Sequence, residues 1–154
     1  TLQGKVVNVA DGDTLTVLDD NKTQHKIRLQ GIDAPEKAQA YGQNSKQSLS
    51  LLVHSKMVTV EFEKKDKYGR TVGKVLLNGT DVCLEQIKLG MAWHYKQYQS
   101  EQSKEDRDTY AQAEQTAKTL FGLIRWRHSP ISLQDYQPLR GSGNPFWLVI
   151  SPRT

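Results

Sequence analysis

The chain has 154 residues, 36% of them hydrophobic, a formal net charge of +4 and one cysteine. That length supports a single domain with its own core, and no apolar run approaches the ~18 residues needed to cross a bilayer. Cys83 alone excludes an intrachain disulfide, and its neighbours Val82 and Leu84 read as packing rather than as the setting of a reactive thiol. The modest positive charge favours an anionic partner such as nucleic acid without requiring one.

The first eighty residues are β-rich. Val6, Val7 and Val9 lead into Asp11-Gly12, a turn signal. "TLTVL" (14–18) alternates, "DDNK" (19–22) makes a polar turn, and "KIRL" (26–29) returns as the second arm of a hairpin. "MVTVEF" (57–62) alternates again and is expected to put Val58, Val60 and Phe62 on one face. "DKYGR" (66–70) turns into "TVGKVLL" (71–77), which ends at an Asn78-Gly79 turn. Five strands at this spacing suit a small barrel or sandwich.

Three helices interrupt or follow the strands. The first is expected over 42–54, with Leu49, Leu52 and Val53 as its apolar face. The second is expected over 81–89, where Asp81 caps free N–H groups and Gly90 suits the left-handed position past the end. The third is expected over 103–121, with Ser103 as N-cap and Glu105 and Asp106 in its first turn. Tyr110, Ala113, Ala117, Leu120 and Phe121 give it one packed side, and Gly122 ends it. We therefore expect one domain over 1–128 and an irregular tail over 129–154, whose last stretch, "GSGNPFWLVISPRT", reads as appended.

The chemistry centres on "IRLQGIDAPE" (27–36). If Ile27 and Leu29 face the core, Arg28 faces the other way; an arginine on the wet side of a strand is the ordinary case. Asp13 ends the first turn and Asp33 follows the third strand, so neighbouring strands would bring the two carboxylates together. Close carboxylates repel unless a cation or protons lie between them. Oxygen donors without Cys or His suggest a hard cation, calcium or magnesium. Such a cation beside Arg28 and a second arginine, Arg70, would suit attack on a phosphodiester, with Glu36 taking a proton from water.

Other features are weaker. His25, His54, His94 and His128 lack any ligand spacing. Trp93, Tyr95 and Tyr98 interleave with Lys96, which suits base stacking but equally suits packing. Lys64, Lys65 and Lys67 would ordinarily form a solvated edge, or else guide a polyanion.

Three motifs in order, "VADGDT", "IRLQGIDAPE" and "DKYGR", followed by "GMAW" and the alanine-rich third helix, resemble the staphylococcal (micrococcal) nuclease, or thermonuclease, family over about residues 4 to 126. The resemblance implies an α+β, β-rich fold: a five-stranded OB barrel with three helices. It implies calcium-dependent hydrolysis of DNA and RNA with little sequence preference, leaving 3′-phosphate ends. By that resemblance Asp13, Asp33 and the main-chain carbonyl of Ala34 are the calcium ligands, Asp11 is their outer neighbour, and Glu36 is the general base. Arg28 and Arg70 bind and stabilise the phosphate, Lys67 and Tyr68 contact a terminal phosphate, and either Tyr95 or Tyr98 stacks on a base.

This sequence has Ala34 where the family often has threonine, and its "KAQAYG" segment (37–42) is shorter than the loop of the best-known member. A non-catalytic OB-fold nucleic-acid-binding module is the alternative, but it has no need of Asp13, Asp33, Glu36, Arg28 and Arg70 together. Nothing points to an obligate protein partner, and a monomer is expected. The chain starts at Thr1 rather than Met; with the calcium expectation, this suggests a cleaved leader and a secreted or periplasmic protein.

Overall fold

A computed structural model describes residues 1–36, 39 and 41–121, with backbone only at 97, 98 and 121. The expected tail over 129–154 lies outside the described residues, as do Gly122 and His128. Among the described residues, eight strands and three α-helices follow in order. The long strands are β1 (Leu2–Asp11), β2 (Thr14–Leu18), β3 (Gln24–Leu29), β5 (Met57–Lys65) and β6 (Thr71–Leu77), with two-residue strands β4 (Ile32–Asp33), β7 (Thr80–Asp81) and β8 (Trp93–His94) between and after them. The helices are α1 (Gly42–Val53), α2 (Val82–Lys88) and α3 (Lys104–Phe121).

The five long strands run in the order β3-β2-β1-β5-β6, and a parallel pairing of β3 with β6 closes them into a barrel. Closure leaves no free edge among these strands. This is the five-stranded barrel with three helices that the sequence led us to expect. Inward positions alternate as they must: Val6, Leu15, Val17, Ile27, Leu29, Val58, Val60 and Val75 are buried in one cluster. Cys83 belongs to that cluster, and burial pushes its thiol pKa up, away from reactivity.

The turns are made by the residues that suggested them. Asp19 accepts from the N–H groups of Asn21 and Thr23. Asn78 and Gly79 both have positive φ, the geometry of a tight hairpin turn. Asp81 Oδ1 accepts from Leu84 N–H and caps α2, while Ser103 Oγ accepts from Asp106 N–H at the start of α3.

Phe62 keeps the alternation of Val60, the two pairing in regular register with Gly73 and Val75, although its side chain is 40% exposed. One packing expectation is overturned: Leu120 is 49% exposed, at the border of an open groove with Leu84 and Lys88 of α2. The described side chains of α3 that do pack are Tyr110, Ala113 and Ala117.

Candidate active site

The barrel brings the first turn, the end of β3 and the β5–β6 turn to one end. Antiparallel pairing sets Thr14 opposite Arg28. Gly12 and Asp13 form the turn between β1 and β2, and a Cβ on Gly12 would lie 1.8 Å from Ser45 Oγ, so only glycine lets α1 approach this closely. Gln86, fully buried on α2, donates to the carbonyls of Gly12 (2.9 Å) and Ser45 (3.2 Å) and accepts from Ser48 Oγ (2.7 Å). This knot of polar groups fixes the turn that carries Asp13; the residues are ordinary helix residues in sequence, so nothing in their spacing announced it.

Asp13 is buried. Its Oδ2 accepts from Ala34 N–H at 2.9 Å, and its Oδ1 accepts from Thr14 Oγ1 at 3.2 Å. Asp11 Oδ1 accepts from Asp13 N–H at 3.1 Å, which places Asp11 behind Asp13. Burial pushes the Asp13 carboxyl up to about 7, against the pull of the Arg28 guanidinium.

Arg28 is not on a wet face. Its side chain is 14% exposed and lies 3.4 Å from Asp13 Oδ2 and 3.7 Å from Asp33 Oδ1. Nη1 donates to the carbonyls of Leu29 (2.9 Å) and Ile32 (2.8 Å). The guanidinium is thus held in one orientation, with its Cζ over the Tyr95 ring, 5.8 Å from the ring centre.

Beside it opens a cleft of about 640 Å³. Arg28, Gln30, Lys64, Lys65, Lys67, Tyr68, Arg70, Tyr95 and Glu101 line it. Arg70 is braced by Asp66: Nε donates to Oδ2 at 2.7 Å and its N–H to Oδ1 at 2.9 Å. Burial works against ionisation of Asp66, yet these bonds and the nearby cation hold its carboxyl below the usual range. Gly69 makes the turn possible with φ 80°. Tyr68, 71% exposed, has the Lys67 ammonium 5.2 Å and the Arg70 guanidinium 5.3 Å from its ring centre.

The fold therefore gathers Arg28, Lys67, Tyr68, Arg70 and Tyr95 around one cleft, with Asp13 and Asp33 within ion-pair distance of its inner arginine. Glu36 is exposed on the loop after buried Pro35, where its N–H donates to Gln39 Oε1 at 2.7 Å. Trp93 is buried and packs; the side chain of Tyr98 lies outside the described residues. Among the described residues no three Asp, Glu, His or Cys side chains gather as a metal cluster. A cation here would rest on two carboxylates, a carbonyl and water. Those donors are oxygens only, with no Cys or His among them, the chemistry that suits a hard cation. The sequence reading missed Glu101, which lines the cleft, and Gln102 and Glu114 behind it; none stands in a recognisable motif.

A closed five-stranded barrel with three helices, and a cleft lined by arginines and lysines whose inner arginine also faces two carboxylates, places the chain among OB-type barrels with a basic cleft. The model of the staphylococcal nuclease homologue family matches residues 26–121, and the chain belongs to that family. It is 45% identical over 134 residues to a protein of Haemophilus influenzae named an uncharacterized endonuclease, covering 86% of this chain and 71% of that one. It is 44% identical over 101 residues to an Escherichia coli O157:H7 protein of the same name, covering 65% of each. It is also 37% identical over 105 residues to the micrococcal nuclease of Shigella flexneri, covering 62% of this chain and 60% of that one.

Proposed function

We propose that the protein is a calcium-dependent nuclease that hydrolyses phosphodiester bonds of DNA and RNA with little sequence preference and leaves 3′-phosphate ends. The observation that carries this reading is the pairing of Arg28 with both Asp13 and Asp33 at the wall of a cleft lined by Arg70, Lys67 and Tyr68. Family membership and the endonuclease and micrococcal nuclease names of its relatives support it.

In this reading Asp13, Asp33 and the Ala34 carbonyl hold calcium, which would neutralise charge on the attacked phosphate and favour deprotonation of water. Arg28 and Arg70 bind two phosphate oxygens and stabilise the charge that grows on them. Both are fixed beforehand by hydrogen bonds, so little reorganisation is needed as the reaction proceeds. Glu36 accepts the proton of the attacking water, Lys67 and Tyr68 hold a neighbouring phosphate, and Tyr95 offers a ring on which a base stacks. Cleft contacts are to phosphate and to base faces, neither of which encodes sequence. Among the described residues no helix is long and apolar enough to cross a membrane; a secreted or periplasmic location, where calcium is plentiful, is part of the proposal.

Incubation of plasmid DNA and of RNA with calcium, with magnesium and with a chelator tests it. Digestion in calcium that stops with chelator is expected, with 3′-phosphate ends on the products. Digestion unaffected by chelator would remove the metal assignment. Binding without digestion in any metal would instead identify a binding module.

A further inference from the structure

Glu114 sits on α3, outside the cleft, with its side chain 3% exposed. Its Oε2 accepts from the backbone N–H of His94 at 2.8 Å, and its Oε1 pairs with Lys96 Nζ and lies 3.7 Å from Lys118 Nζ. His94 and Lys96 bracket Tyr95, so the carboxylate grips the chain on both sides of the residue whose ring lies against Arg28. Tyr95 N–H in turn donates to the Gly31 carbonyl at 2.9 Å.

The segment that Glu114 holds is short. β8 is two residues long and, among the described residues, pairs with Ile32–Asp33, the strand that carries Asp33. A short 3-10 turn follows over Lys96–Glu101. Its far end is tied to the same place, because the buried His94 ring bonds Gln102 Oε1 at 2.7 Å. A Cβ on Gly31 would meet the Gln102 side chain at 2.5 Å, so the contact is tight.

A buried carboxylate is a costly way to pack a helix, since an apolar side chain of similar volume is often no less stabilising. What an apolar residue cannot do is accept the His94 N–H and fix the direction of the backbone that follows. We propose that Glu114 is a positioning residue: through its bond to the His94 N–H it sets Tyr95 against Arg28 and orders the cleft wall. Its consequence for turnover rests on the nuclease reading; its geometric claim does not.

The test uses the full chain with Glu114→Ala, Glu114→Gln, Tyr95→Ala and the Glu114→Ala/Tyr95→Ala pair, each confirmed folded by circular dichroism well below its Tm. Without any substrate, Arg28 side-chain NMR resonances report the aromatic ring above them. Glu114→Ala is expected to shift them as Tyr95→Ala does, while Glu114→Gln, which keeps an acceptor, leaves them near wild type. In cleavage assays Glu114→Ala is expected to lose roughly 10- to 100-fold in kcat/KM, the scale of a small misplacement near reacting groups. That loss should not add to the loss of Tyr95→Ala in the double variant. Unchanged Arg28 resonances in folded Glu114→Ala, additive losses, or a Glu114→Gln variant as impaired as Glu114→Ala would each overturn the proposal. If the wild type cleaves nothing, the nuclease reading fails alone, and the Arg28 resonances still decide the positioning role.

Discussion

Arg28 stands between Asp13 and Asp33, with the same Nη2 at 3.4 Å from one carboxylate and 3.7 Å from the other. It therefore compensates two acidic groups while its Nη1 is anchored by the Leu29 and Ile32 carbonyls. Arg28→Ala should lower kcat by roughly 10²–10³-fold, the cost of removing one donor that stabilises a developing anion. Arg28→Lys should recover little, because an ammonium cannot bond two carbonyls and still present a planar pair of N–H groups. Steady-state kinetics on an oligonucleotide check this. A change confined to KM would mean that Arg28 holds phosphate equally in ground and transition states.

Glu36 is exposed and follows a buried proline, so its carboxylate reaches solvent from a fixed turn. If it takes the proton from water, Glu36→Gln should lower turnover by roughly 10²–10⁴-fold with little loss of substrate affinity. Single-turnover cleavage beside anisotropy binding separates the two. An undiminished rate would remove Glu36 from that role.

The strands and helices were legible because alternation and capping are local signals. Ile27 and Leu29 face inward as alternation requires, and Asp81 caps α2 as its residue type suggests. The surroundings of Arg28 were not legible. Alternation says only that it points away from the core; that it meets two carboxylates and an aromatic ring depends on the pairing of β3 with β2 beside Asp13 and of β4 with β8 beside Tyr95. Lys64, Lys65 and Lys67 read as a charge run, yet the turn of the β5–β6 hairpin makes them one wall of the cleft. His94 lacked a ligand spacing in sequence, and its place is a buried bond to Gln102. Phe62 keeps its alternation yet is 40% exposed, because alternation fixes the face a residue takes and not whether that face is covered.

Tyr110 offers a test of stability separate from the cleft. Its hydroxyl donates to Asp81 Oδ2 at 2.5 Å, joining α3 to the cap of α2, and Lys74 Nζ lies 3.9 Å from the same oxygen. Hydrogen bonds to a charged group contribute about 1.5–3 kcal/mol. Tyr110→Phe keeps the ring beside His94 and should lose about that much in urea denaturation, with kcat unchanged for the folded fraction. No loss of stability would show that water or Lys74 satisfies Asp81 equally well.

His94 gives the fold a pH dependence with a definite sign. Burial holds its pKa below the usual imidazole value; the Gln102 bond and the Glu114 charge oppose this, while Lys96 and Arg107 reinforce it. A neutral ring can donate from Nε2 to Gln102, and buried Nδ1 has no hydrogen-bond partner among the described residues. Protonation would place an N–H there with nothing to accept it. The unfolded chain takes up this proton first, near pH 6.5, so His94's contribution to stability falls as pH drops through that value and keeps falling until the folded ring also protonates. Tm measured from pH 7 to pH 5 should decline more steeply for the wild type than for His94→Gln. Parallel curves would assign the dependence to other groups.

Glu101 lines the cleft and pairs there with Lys64, a contact that joins the end of β5 to the 3-10 turn across the opening. Its backbone carbonyl also accepts from Gln30 Nε2 at 3.5 Å. An incoming polyanion is repelled by Glu101 and must compete with it for Lys64. Both side chains are substantially exposed, so their pairing is worth only about 0.2–1 kcal/mol. Glu101→Gln should therefore tighten binding of a short oligonucleotide in chelator by no more than about fivefold at low salt. It should also steepen the salt dependence of Kd by about one counterion if Lys64, no longer paired with Glu101, contacts phosphate. Anisotropy titrations across a range of salt concentrations measure both. A tighter Kd with an unchanged slope would mean that Glu101 acts by repulsion alone, and no change in either would show that bound nucleic acid does not pass Lys64.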